Sequence, residues 1–183
     1  MRLFAGIALP SPVRDHLSQA LAMSSAPQRS ARSPWGPATN WHITLAFYGD
    51  QPESMVAELI ANLKAAAGRT PRFEVGLAGA GVFRHEVCWI GVADPTNALG
   101  PLAEKVRAEY VTAPQNTQNR FHVTISRAGR RSGLEDKMAA LSVYRGPTWL
   151  AEKITLYRSD LGAGVGGHPR YTRLAEAPLV EPA

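Results

Sequence analysis

The sequence predicts an α+β fold with antiparallel sheets. Two observations predict it. Strand-like and helix-like segments follow one another in the order strand, helix, strand, helix, two strands, helix, strand, helix, strand. Within that order a strand carrying His-x-Thr-(apolar) is followed by a helix in each half of the chain, once at His42-Ile43-Thr44-Leu45 and once at His122-Val123-Thr124-Ile125. Outside these tetrapeptides no residue-level repeat is evident, so the duplication is one of architecture.

Taken in order, Arg2 to Leu9 reads as an opening strand. Ser11-Pro12 is a helix start, with serine as N-cap and proline at the first helical position; the helix runs to about Met23 with Val13, Leu17, Ala20 and Leu21 on one face. Ser24 to Asn40, rich in Ser, Pro and Arg, is loop. Trp41 to Tyr48 is the first motif strand, closed by Gly49-Asp50. A helix follows from Pro52 to Ala67, striped by Val56, Leu59, Ile60 and Leu63 and ended by Gly68. Phe73 to Leu77 and Val87 to Val92 are strands, with Gly79 to Glu86 as the turn between them. Leu99 to Val111 is a third helix, with Leu102, Val106 and Tyr110 in register. Arg120 to Ser126 is the second motif strand, and Ser132-Gly133-Leu134-Glu135 is a capping box for a helix ending near Leu141. Lys153 to Arg158 is a strand, Leu161 to Gly167 a glycine-rich loop, and Tyr171 to Leu174 a last short strand.

At 183 residues the chain suits one domain with a sizeable core. No apolar run approaches the roughly 20 residues that span a bilayer, and Met1 to Pro10 is too short for a signal peptide. The expectation is a cytoplasmic protein, with monomer as the default and no membrane partner. The one cysteine, Cys88, lies in a strand-forming run, which favours a buried inert thiol. The net charge of +5, much of it from arginine, favours an anionic partner.

Side chains alternate across a strand. Strict alternation places His42, Thr44 and Ala46 on one face and Ile43, Leu45 and Phe47 on the other. It likewise sets His122, Thr124 and Ser126 against Phe121, Val123 and Ile125. Each strand thus offers an imidazole and a hydroxyl with an apolar back. Two imidazoles at one substrate form an acid–base pair: one takes a proton from water and the other gives one to a leaving oxygen, since histidine titrates near 6.5. Threonine hydroxyls can donate to non-bridging phosphate oxygens. One His-x-Thr alone is usually a half-buried polar pair; two with matched polarity make a site. Zinc wants three or four protein ligands, and His16, His85 and His168 have no ligand spacing, so neither metal nor cofactor is expected. There is no G-x-S-x-G, and Gly162 to Gly167 lacks the P-loop pattern.

With these motifs the chain resembles the two-histidine phosphoesterases and, among them, the bacterial RNA 2′,3′-cyclic phosphodiesterases, historically called 2′-5′ RNA ligases. Arg2 to Pro10, Trp35 to Gly49, Arg120 to Arg127, and Leu156 to Ser159 with Gly167 and Tyr171 carry the resemblance. Phe121 stands where that family often has proline, and Ala46-Phe47-Tyr48-Gly49 where it more often has Phe-Leu-Gly.

The resemblance implies a single two-lobed domain over 1–183, with two pseudo-symmetric antiparallel sheets lining a central cleft and one motif per lobe (42–45 and 122–125). It implies metal-independent hydrolysis of an RNA-terminal or nucleotide 2′,3′-cyclic phosphate to a 2′-phosphomonoester. His42 would be the acid and His122 the base, an assignment the near-symmetric motifs cannot make by themselves. Thr44 and Thr124 would hold the phosphate, with Arg127 joining them if the strand bulges near Ser126, because alternation otherwise turns it away. Trp35, Phe4 and Tyr171 are candidates to stack on a base. An RNA-binding module without turnover, 2′-5′ ligation and a small cyclic nucleotide substrate stay open.

Overall fold

The computed structural model describes residues 1–24, 35–84, 86–107, 110, 120–127 and 134–182. Arg29, Arg32, His85, Arg130, Arg131, the Ser132-Gly133 half of the expected capping box and the end of the expected third helix at Val111 lie outside them.

Strands β1 (Arg2–Ala8), β2 (His42–Asp50), β3 (Phe73–Phe83), β4 (Val87–Ala93), β5 (His122–Arg127), β6 (Arg145–Ala151), β7 (Lys153–Asp160) and β8 (Arg170–Pro178) pair antiparallel in one curled sheet of order β6-β3-β4-β5-β2-β1-β7-β8. The α+β class with antiparallel pairing is as predicted. The two expected sheets are halves of this one: β2-β1-β7-β8 and β5-β4-β3-β6, each with a motif strand at its inner edge. The halves meet at one register pair, Ile43 with Val123.

Helices α1 (Ser11–Met23), α2 (Val56–Ala67), α3 (Leu99–Arg107) and α4 (Leu134–Ala140) cover one face. α3 packs on β2 and α2 on β7 and β8, while α1 and α4 pack on β6 and β3 of the other half. The core between helices and sheet holds Leu17, Leu21, Ile43, Leu45, Leu59, Leu63, Leu102, Val123 and Ile125. The opposite face carries the histidines.

Four differences from the sequence reading have physical causes. Ser11 does not cap α1: Pro10, extended at φ −67° and ψ 158°, is the N-cap residue, and the Ser11 hydroxyl accepts from Arg14 Nη2 at 2.8 Å. β3 runs on to Phe83 through Gly79 and Gly81, into what was expected as turn; a register shift between Leu77 and Ala80, with Gly79 at φ +71°, lets the strand bend. β6 was not foreseen because Gly146 and Pro147 interrupt it, which an edge strand tolerates since Pro needs no ladder donor there. β8 is likewise an edge strand and extends to Pro178, well past Leu174.

Candidate active site

The motif strands lie side by side where the halves meet. His42 and Thr44 flank Ile43 on β2, and His122 and Thr124 flank Val123 on β5, so the two motifs meet around this one pair. The four polar residues of the two motifs are half-buried around it, with Ile43 and Val123 fully buried, and His42 feels the charge of His122.

Strict alternation holds only as far as the threonines. In the β1–β2 ladder Gly6 pairs with Thr44 and Ala5 with Ala46, so Leu45 is an extra residue on β2. In the β4–β5 ladder Trp89 pairs with Thr124 and Cys88 with Ser126, so Ile125 is an extra residue on β5. Both are β-bulges, at the same position of the two motifs. Each reverses the parity of the residues that follow it, on β2 as far as Phe47, where a second register shift falls at Tyr48. Ala46 and Ser126, expected beside the histidines, turn to the core side and are 0% and 4% exposed. Phe47, expected in the core, is 48% exposed and packs against Phe4. Arg127 comes round to the histidines' face, where its charge is felt by His42, His122 and Tyr171.

A bulged residue loses its ladder partner, so its carbonyl needs another donor. Arg107 Nε, at the end of α3, donates to Leu45 O at 2.9 Å, and the Gly36 N–H donates to Ile125 O at 2.8 Å. The loop around Trp35 is thus tied to the second motif strand, although it precedes the first in sequence. Trp35 itself is half-buried and packs against the core.

Both imidazoles are oriented alike. His42 Nδ1 lies 2.6 Å from Asn40 O and His122 Nδ1 lies 3.0 Å from Arg120 O. A carbonyl only accepts, so each Nδ1 carries the proton and each Nε2 is left to face the cleft. Asn40 is itself held, its side-chain amide donating to Pro169 O at 2.8 Å.

Their surroundings differ. His42 stacks on Phe4 at 4.6 Å and meets the edge geometry of Tyr171 at 5.4 Å; Tyr157 lies 6.1 Å away. Gly6 makes room for it, since a Cβ there would sit 2.6 Å from Ile43 O and 3.3 Å from His42 Cδ2. Enclosure by rings, reinforced by the charge of Arg127 and by His122, lowers the His42 pKa to about 4 against the pull of the Asn40 bond. His122 meets Phe83 edge-on at 5.0 Å and Trp89 at 6.3 Å, and burial and Arg127 lower its pKa too.

Phe4 is 3% exposed and ringed by His42, Tyr157 and Tyr171, which leaves it no face for a base. It serves as a bed for His42. Tyr171 is half-buried, edge-on to both Phe4 and His42, and burial raises its pKa against the charges of Arg127 and Arg2. Cys88 is buried in β4, as expected. Among the described residues no group of three or more His, Cys, Asp or Glu side chains is placed to hold a metal ion, and no helix is long and apolar enough to cross a membrane.

Sequence reading passed over Phe83, Trp89, Tyr157 and Arg107. One signal was available: Arg127 falls in the core phase of its strand, and a charged residue out of phase marks a bulge.

Residues 10–163 match the model of the 2′-5′ RNA ligase superfamily. The chain is similar to the RNA 2′,3′-cyclic phosphodiesterase of Escherichia coli K12, at 31% identity over 98% of this chain and 97% of that one. It is similar to the protein of the same name from Aquifex aeolicus, at 38% identity over 51% of this chain and 54% of that one. To that from Geobacillus stearothermophilus the figures are 29%, 97% and 57%. The chain thus spans little more than half the length of the latter two relatives. Among solved structures it is similar to a Thermus thermophilus protein, with a TM-score of 0.74 and 26% identity over 98% of both chains. It is also similar to E. coli LigT complexed with phosphate, with a TM-score of 0.73 and 26% identity over 98% of both chains.

Proposed function

The chain belongs to the 2′-5′ RNA ligase superfamily, and on that premise we propose that it is an RNA 2′,3′-cyclic phosphodiesterase working through His42 and His122. Its substrates are RNA ends or small nucleotides that carry a 2′,3′-cyclic phosphate, and its product is the 2′-phosphomonoester. The observation that carries the reading is the pair of imidazoles on abutting strands, each with Nδ1 tied to a carbonyl two residues back.

A cyclic phosphate bridging the strands meets Thr44 and Thr124, whose hydroxyls donate to the non-bridging oxygens. Arg127 balances the charge that builds on the phosphorus-bound oxygens. His122 Nε2 takes a proton from water as its oxygen bonds to phosphorus. The bond from phosphorus to the 3′ oxygen breaks, and His42 Nε2 supplies the proton that makes the 3′ hydroxyl. His122 ends protonated and His42 neutral, and proton exchange with solvent resets them. The acid label on His42 follows the family resemblance. In the free protein a pKa of about 4 leaves His42 neutral near pH 7, so its protonation is coupled to arrival of the phosphate's negative charge.

The test is hydrolysis of 2′,3′-cyclic AMP, a cyclic-phosphate-ended RNA and a 2′-5′-linked dinucleotide, in the presence of chelator. ³¹P NMR fixes the position of the product phosphate. Turnover of the cyclic substrates to 2′-phosphates, lost in His42→Ala and His122→Ala, is the expected outcome. RNA binding without turnover by the wild type would leave a binding module instead.

A further inference from the structure

Each imidazole is oriented by a carbonyl that no ladder aims. Asn40 and Arg120 stand before their strands, since the ladders begin at His42, paired with Ala8, and at His122, paired with Gly91. Asn40 closes a single turn, Ala38–Asn40, and Trp41 is already extended at φ −74° and ψ 125°. One turn of 3₁₀ helix has little stiffness of its own. A carbonyl at such a junction swings unless its residue is held by something else.

In both halves the side chain does the holding. Asn40 Nδ2 donates to Pro169 O at 2.8 Å, and Pro169 stands two residues before Tyr171, whose ring meets His42 edge-on at 5.4 Å. The Arg120 guanidinium lies over Trp89, 5.8 Å from the ring centre, and Trp89 meets His122 at 6.3 Å. Trp89 is itself fixed: it is 8% exposed and lies against Gly81, where a Cβ would come within 2.4 Å of its ring. The residue two places before each histidine thus grips the imidazole twice. Its carbonyl takes the Nδ1 proton, and its side chain is clamped to the element that bears a neighbouring ring. One clamp is an amide–carbonyl hydrogen bond and the other a cation over an indole, in a common geometry.

We propose that Asn40 and Arg120 are matched positioning residues, whose side-chain anchors fix the carbonyls that orient His42 and His122 for proton transfer at Nε2. Neither has to touch the substrate. A neutral imidazole without its bond at Nδ1 shares its proton between the two nitrogens, and its ring can turn. A His122 with its proton on Nε2 cannot take one from water. A His42 turned away from the cleft cannot deliver one to the 3′ oxygen. Loss of either anchor therefore lowers kcat and spares KM. The kinetic part of the inference rests on the cyclic phosphodiesterase reading; the tautomers are set with or without substrate.

The test compares wild type with Asn40→Ala, Asn40→Leu (of like size, without the donor), Arg120→Ala and Arg120→Lys. Thr39→Ala, at an exposed position beside Asn40, is the control. The readouts are kcat and KM on 2′,3′-cyclic AMP, and ¹⁵N NMR of the imidazoles, which tells a protonated ring nitrogen from a bare one. The wild type and the control are expected to carry both protons on Nδ1. Both Asn40 variants are expected to lower kcat about 10-fold or more with KM little changed, and to spread the His42 proton over both nitrogens while His122 stays as it was. Arg120→Ala is expected to do the same to His122 alone, and Arg120→Lys, which keeps a cation over the indole, to restore it. Wild-type kcat and an unmoved His42 proton in both Asn40 variants overturn the proposal. So does a rise in KM at unchanged kcat in the Asn40 or Arg120 variants, which would make those residues substrate contacts. Should the wild type not hydrolyse the substrate, the phosphodiesterase reading fails by itself. The spectra then decide: displaced protons uphold the positioning role and unmoved ones end it.

Discussion

His42 and His122 occupy one backbone geometry and two environments. Each stands three residues before a bulge, each gives Nδ1 to the carbonyl two residues back, and each has its threonine beside it. What the bulge then delivers differs. On β2 it turns out Phe47, beside a cluster of Phe4, Tyr157 and Tyr171 that walls in His42. On β5 it turns out Arg127, beside the more open pair of Phe83 and Trp89. The difference teaches that a duplicated backbone supplies position, while the neighbours decide how readily each imidazole holds a proton. Two groups of one type can then take unlike parts in a single reaction.

The harshest way to break the comparison is to remove either imidazole. His42→Ala and His122→Ala should each lower kcat/KM on 2′,3′-cyclic AMP by about 10²- to 10⁴-fold, with circular dichroism unchanged. A variant retaining wild-type turnover would show that the halves do not act as a pair.

Arg127→Gln should cost about 10²-fold in the same assay. It should also move the pH profile. Arg127 lowers both imidazoles, so without its charge the pair's apparent pKa values rise and the kcat/KM optimum shifts to higher pH. A profile that loses height without moving would place the guanidinium away from the histidines.

The bulge on β2 can be loosened from behind. Arg107→Met leaves Leu45 O without its side-chain donor, and an orphaned buried carbonyl costs about 1–3 kcal/mol. Chemical denaturation should show that loss, with activity falling as Phe47 and His42 lose their setting. Unchanged stability would mean that the bulge holds itself.

The smallest effect concerns protons alone. Phe4→Leu removes the ring under His42, so its pKa should climb from about 4 towards 6.5 in an NMR titration, while that of His122 changes less. The same lowered pKa has a stability consequence. Between pH 6.5 and about 4 the unfolded chain binds a proton at His42 that the folded chain refuses. Stability is therefore full above 6.5 and declines as pH falls through that window. His42→Asn should flatten this part of the stability curve; an unaltered slope would assign it to other groups.

Much of this was legible in the sequence because it is periodic and local. Helix stripes such as Leu59 and Leu63, the motif strands and the antiparallel α+β class follow from side-chain alternation and turn residues, which act over a few positions. The pairing of His42 with His122 followed from repetition. What escaped was set by partners distant in the chain. β6 exists because β3 offers it an edge, despite Pro147. β3 continues through glycines because β4 pairs with it as far as Phe83.

By itself, then, the sequence determined the helices, most of the strands, the two motifs and the apolar backs that anchor them, since each depends on residues within one turn or one strand. Only the tertiary structure decided which side chains share the cleft. A bulge arises when two strands of unequal local length must pair, and its spare carbonyl is satisfied from elsewhere, by Arg107 in one half and Gly36 in the other. The extra residue after each threonine reverses the side chains that follow it, Ala46 and Phe47 on β2 and Ser126 and Arg127 on β5. That reversal took Ser126 and Ala46 off the histidines' face and brought Arg127 onto it.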